Sequence, residues 1–211
     1  ESEKICKFAT MNNNANPHIK WSENVIIADA DYVDHVAFDL IVNFERMIGR
    51  RIPPADTARW IDCIALDGGL REGEHQCQAI FIHKKSSTDM SNFRPGNFDE
   101  DLNAKAFKDR LGEFVLTSLP VEEEFVSFNE FFIDILQTAA NSGDTKRIMV
   151  IPNAEDAELY AKIQHALRHV DADKHITVFS MQPLPGGNFK QEILGYSLMN
   201  ALGIRADELE G

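Results

Sequence analysis

Cysteine is scarce in this chain: Cys6, Cys63 and Cys77 are the only three in 211 residues. They are widely spaced and no two form a CxxC pair, so a disulfide scaffold and a zinc ribbon are both excluded. The expectation is reduced thiols in a reducing, cytoplasmic compartment. Cys63 and Cys77 lie in apolar settings and read as core residues rather than nucleophiles. Long apolar runs are missing too. None approaches the ~20 residues that a membrane span needs, and Glu1-Ser2-Glu3-Lys4 lacks the shape of a signal peptide. Glycine-rich phosphate loops are absent. Gly68-Gly69 and Gly186-Gly187 stand in neither a GxGxxG nor a GxxxxGK[ST] context. No GxSxG elbow supports a hydrolase triad. Low-complexity tracts, repeats and long linkers are also missing.

Basic residues are outnumbered. There are 21 Lys and Arg against 34 Asp and Glu, a formal net charge of −13. Such a surface keeps a protein soluble and repels polyanions. Nucleic acid would need a local basic patch or bridging metal ions. The best patch is Lys84-Lys85 with Arg94, and two lysines after a strand are usually only solvated. His165 and His169 are four apart on one expected helix, but Ala166 stands where the zincin pattern needs Glu, so they read as surface residues.

What the chain does have is an alternation of elements, with 44% hydrophobic residues to build a core. Residues 25–28 are a continuous apolar run, the pattern of a strand buried on both faces. Val36, Phe38, Leu40, Ile41, Phe44, Met47 and Ile48 follow at helical spacing, and Gly49 stops them. Residues 54–67 read as helix in preference to strand, because proline is tolerated in a first turn and Trp60, Ile61, Ile64 and Ala65 make helical rows. Further strands are expected at 77–83, 114–119, 147–151 and 176–180. A polar loop spans 84–99, and a short helix is expected through Leu102, Ala106, Phe107 and Leu111. Helices then follow over Phe128 to Ala139, over 155–170 and from Ile193 to Leu202. Residues 5–9 are a weak strand candidate and 11–17 a polar hinge.

Alternating strands and helices imply right-handed crossovers and an α/β three-layer sandwich. The expectation is a mainly parallel five-stranded sheet in order 3-2-1-4-5, in one domain with residues 1–23 as an extension and 24–202 as core. In such sheets ligands bind outside the carboxyl ends of the strands, where the winding reverses. That point lies between the first and fourth strands. The segments just past them are Asp29-Ala30-Asp31 and Asn153-Ala154-Glu155-Asp156, distant in sequence and both acidic. Converging carboxylates are costly unless protonated or holding a cation, and oxygen donors suit Mg²⁺ or Mn²⁺. A hydrated divalent ion orients water and neutralises charge at a phosphodiester. Asp29, Asp31, Glu155 and Asp156 are thus the candidate metal ligands, and Asp29, Asp31, Asp156 and Glu130 the candidate catalytic set. The competing reading is simpler: Asp29 and Asp31 cap the following helix, and Glu155, Asp156 and Glu158 only complement a helix N-terminus.

The layout resembles the NYN and PIN nuclease-like superfamily over roughly residues 24–202. Its opening strand ending in D-x-D is matched by Ile27-Ala28-Asp29-Ala30-Asp31. Its acid at the central helix is matched by Glu130 or Asp134. Its later S/T-x-D-x-D is met by Asn153-Ala154-Glu155-Asp156, where the second acid falls on Asp156 and the first on Ala154. The resemblance implies a metal-dependent ribonuclease-like phosphodiesterase. The missing acid implies the alternative, an inactive nuclease-like module that binds a nucleotide, RNA or a protein partner. Oligomeric state is not readable.

Overall fold

A computed structural model describes residues 20–209. The expectations at 5–9 and 11–17 fall outside them. Nine strands, β1 to β9, and five helices, α1 to α5, are numbered below in chain order among the described residues.

The first strand, β1 (Asn24–Asp29), is buried along its whole length. Its alternating side chains feed two cores. Ile26 and Ala28 join one cluster, Val25 and Ile27 the other. This is why residues 25–28 carry no polar side chain: both faces are covered. Helix α1 (Ala30–Ile48) follows without a loop, capped by Asp29 and ended by Gly49 in the left-handed region at φ 68°. After β2 (Ala55–Asp56), helix α2 (Thr57–Asp67) is capped by Asp56. The segment 54–67 is therefore helical over most of its length, as its rows of Trp60, Ile61, Ile64 and Ala65 indicate; all four are buried. Trp60 packs edge-on against Phe93, with ring centroids 5.6 Å apart.

Strand β3 (His75–Lys84) pairs parallel with β1, and β6 (Gly112–Val121) pairs parallel with β3. Between them lie β4 (Phe93–Arg94), a π-type turn over Phe98–Leu102, and β5 (Lys105–Asp109). The long polar loop is pinned: the Asn92 N–H donates to Asp34 at 2.8 Å, the Ala55 N–H to the Asn92 carbonyl at 2.7 Å, and the Thr57 hydroxyl to the Pro95 carbonyl at 2.6 Å. The helix expected through Leu102 to Leu111 does not form. Lys105–Asp109 is instead an edge strand antiparallel to β6. Leu102 and Leu111 are buried, but Phe107 stacks across the ladder on Phe114 at 4.9 Å, which fixes a two-residue period. Gly112 at φ 129° allows the tight reversal.

Strand β7 (Arg147–Ile151) pairs with the other side of β1, and β8 (His175–Ser180) and β9 (Lys190–Ile193) continue outward, all parallel. The sheet is seven-stranded, in order β5-β6-β3-β1-β7-β8-β9. The five-stranded expectation is thus corrected by two edge strands, one of them antiparallel. The five strands read from sequence stand together in order 3-2-1-4-5 within it. β9 was missed because Lys190-Gln191-Glu192-Ile193 is half exposed and mostly polar, as an edge strand can be. Pro120, just past the strand expected at 114–119, lies inside β6 beyond Leu116, where β5 has stopped pairing and no N–H is needed.

Helices α1, α2 and α5 (Leu194–Ala201) cover one face. Helices α3 (Phe128–Asn141) and α4 (Ala157–Ala166) cover the other. Crossovers on opposite faces before and after β1 and β7 follow from right-handed winding in both directions. The reversal between β1 and β7 opens a crevice at their carboxyl ends. No helix among the described residues is long and apolar enough to cross a membrane.

Candidate functional site

The crevice is built from three strand ends. Tyr32 comes from the first turn of α1, just past β1. Ala154 and Glu155 come from the connection after β7. Ser180, Met181, Gln182 and Leu184 come from the end of β8 and the chain beyond it. Together they line a cleft of about 290 Å³. The Tyr32 hydroxyl donates to Glu155 Oε1 at 3.3 Å. The two acidic segments therefore do meet, and Tyr32 is the side chain that joins them.

Each candidate carboxylate has a definite local role. Asp29 is 6% exposed and accepts the Tyr32 N–H at 3.0 Å. Burial pushes its carboxyl up to about 7, with Asp31 adding to the rise and the Tyr32 N–H opposing it. The buried strand end that makes Asp29 a helix cap also makes it reluctant to ionise. Asp31 is half-buried and turns sideways along the sheet, where it accepts the Lys84 N–H at 2.7 Å. Glu155 is exposed at the cleft. Asp156 caps α4, accepting the Glu158 and Leu159 N–H groups at 2.9 and 3.1 Å on one oxygen and Asn129 Nδ2 at 2.8 Å on the other. The Asn129 hydrogen bond and those cap bonds hold its carboxyl below the usual range. Glu130 is exposed on the first turn of α3 and completes a capping-box pattern with Ser127, whose hydroxyl accepts its N–H at 3.2 Å. Its charge acts on Lys162 together with Glu158 and Asp156.

The sequence-named acids thus fall into two neighbourhoods. Asp29, Asp31 and Glu155 gather around Tyr32; Asp156 and Glu130 gather around Asn129 and Lys162. As arranged, they do not suit a divalent ion. Among the described residues no three His, Cys, Asp or Glu side chains form a metal-holding group. Asp156 turns both oxygens to its cap and Asn129, and Asp31 and Asp29 each turn one oxygen to a backbone N–H.

Sequence reasoning missed Tyr32, whose place directly after the D-x-D was its only signal. The phenol's pKa is raised, first by burial and then by Glu155, so it stays a donor. It also missed the strand end Ser180-Met181-Gln182, which carries no motif. His83, for which the sequence offers no partner, is 4% exposed and stacks on Phe98 with ring centroids 3.7 Å apart. Its Nδ1 lies 2.9 Å from the Lys84 carbonyl, which can only accept, so Nδ1 carries the proton. Its buried Nε2 has no hydrogen-bond partner among the described residues. Burial lowers the His83 pKa. The Lys84-Lys85 patch is offset by acids: Lys85 pairs with Glu122 and Lys84 with Glu123. His165 and His169 are both exposed.

No curated protein and no solved structure matches the chain. One family model does, over residues 18–209. The chain therefore belongs to that family, described as a family of unknown function, DUF6621.

Proposed function

We propose that the chain is a nuclease-like α/β module without metal-dependent phosphodiesterase chemistry, which binds a small organic ligand in the cleft at the carboxyl ends of β1, β7 and β8. The observation that carries this reading is the cleft's place and lining: it sits at the sheet's switch point, lined by the Tyr32–Glu155 pair together with Met181 and Leu184. An RNA strand fits less well, because no basic side chain among the described residues lines the cleft and the chain carries −13. A nucleotide is disfavoured at its phosphate for the same reason, whereas a nucleoside is not. A reducing, cytoplasmic location is part of the proposal, supported by Cys63 and Cys77 being free thiols.

The test is a thermal-shift and calorimetric panel of nucleosides, mononucleotides, small amines and single-stranded RNA, with Leu184→Trp as the variant that fills the cleft. A small organic probe that raises Tm in the natural chain and not in the variant supports the reading. Mn²⁺ is titrated in parallel into the natural chain and into Asp29→Asn/Glu155→Gln. Metal binding that the double variant loses, with RNA cleavage alongside, would replace the proposal by the metal-dependent ribonuclease reading.

A further inference from the structure

The cleft carries charge of one sign. Among the described residues Glu155 is the only charged side chain in its lining, and no Lys, Arg or His faces it there. Its one side-chain bond is long: the Tyr32 hydroxyl stands 3.3 Å away, where a hydroxyl held by a carboxylate usually sits at about 2.6 Å. A carboxylate offers about four acceptor positions, so Glu155 keeps most of its capacity. The other hydroxyl in the lining is already used, since Ser180 Oγ donates to the Gln182 carbonyl at 2.7 Å. An anionic ligand would meet a carboxylate with neither a cation nor a free hydroxyl to compensate. The rest of the lining is the neutral amide of Gln182 and the apolar side chains of Ala154, Met181 and Leu184.

We infer that the cleft selects a ligand with a cationic nitrogen, an amine or guanidinium on an apolar body, with the nitrogen on Glu155 and Tyr32 and the body against Met181 and Leu184. The inference rests on the proposed reading that this cleft is the binding site. The phenol donates to Glu155 and holds it on the cleft wall, and its ring adds a face to which a cation is attracted.

Three probes of one shape separate the possibilities: phenethylamine, 2-phenylethanol and phenylacetate. Each is titrated at neutral pH into ¹⁵N-labelled natural chain, Glu155→Gln and Tyr32→Phe, with amide shifts as readout. Glu155 is exposed, so its substitution leaves the fold intact. The amine is expected to shift the amides of Tyr32, Ala154, Met181, Gln182 and Leu184. Loss of one charge-assisted hydrogen bond weakens the amine by about tenfold in Glu155→Gln, while 2-phenylethanol is unchanged by that variant. Phenylacetate binds weakest of the three. If the alcohol or the carboxylate binds as tightly as the amine, or if Glu155→Gln leaves the amine untouched, the cationic preference is wrong and the cleft reading survives. If none of the probes moves a cleft amide, the preference and the cleft reading both fall.

Discussion

Asp29 ends β1 and carries the largest electrostatic cost that the site imposes on the fold. Its carboxyl rises from 3.8 to about 7, chiefly through burial. A raised folded-state value means that Asp29 contributes stability fully present below about pH 4 and lost as pH climbs through about 7. A rise of that size corresponds to up to about 4 kcal/mol. Asp29→Asn removes the ionisation and keeps the cap, since an amide oxygen accepts the Tyr32 N–H as well as a carboxylate does. The stability difference between the Asp29→Asn variant and the natural chain should be near zero at about pH 4 and grow to as much as about 4 kcal/mol in favour of the variant by about pH 8. Urea unfolding followed by circular dichroism across that range measures it. A difference flat to within about 0.5 kcal/mol would refute the reasoning. It would mean that the Asp29 carboxyl is hydrated or already balanced by donors, and that its burial carries no penalty.

Three further perturbations test other parts of the scaffold. Asp156→Ala should cost about 1–2 kcal/mol by chemical denaturation, because it removes the α4 cap and strands Asn129, whereas Asp156→Asn should stay within about 0.5 kcal/mol. Gly112→Ala should lower Tm by several degrees, a loss of more than about 2 kcal/mol, since Gly112 sits at φ 129° and a Cβ there would collide with the His75 backbone. Asp62 on α2 faces Asp109 on β5, and its Oδ1 is buried with no donor among the described residues. Burial first, and then the Asp109 carboxyl, raise its pKa, so the clasp between α2 and β5 weakens as pH rises through neutrality. Asp62→Asn, which supplies an N–H in place of the shared proton, should flatten the pH dependence of hydrogen exchange at residues 105–109.

The order of the central strands was legible because their apolar runs are continuous, and only a doubly covered sheet accommodates such runs. Winding rules then placed residues 29–31 beside residues 153–156, and the Tyr32–Glu155 bond bears out that meeting of segments. Edges were harder to read. β5 and β9 bury half a face at most, and Phe107 with Leu111 is as compatible with a helical row as with a strand until Phe114 is seen across the ladder. Side-chain direction was not legible at all. Asp29 is the last residue of β1 and Asp156 stands beyond the end of β7, yet both cap the next helix. What separates them is tertiary: Asn129 from α3 reaches Asp156, while only backbone donors reach Asp29 among the described residues.

That asymmetry bears on where function lies. Local preference, packing and polar satisfaction agree over most of this fold, as they do in any sequence that specifies one structure. Two conflicts stand together at the carboxyl edge of the sheet: a carboxyl buried at the end of β1, and an imidazole at the end of β3 whose Nε2 lacks a partner among the described residues. Asp29 and Ile82 are cross-strand neighbours, so His83 follows directly. Asparagine at this position would cap α1 equally well without the ionisation penalty, and capping alone therefore does not account for an acid there. Perturbed groups of this kind gather where a protein meets its ligand more often than where it only holds itself together. The same edge carries the cleft, and Asp29 lies one helical turn before Tyr32. A negative charge that forms there above neutral pH would strengthen the field felt by a cation on Glu155, so ligand affinity should rise with pH through about 7 in the natural chain and lose that rise in Asp29→Asn.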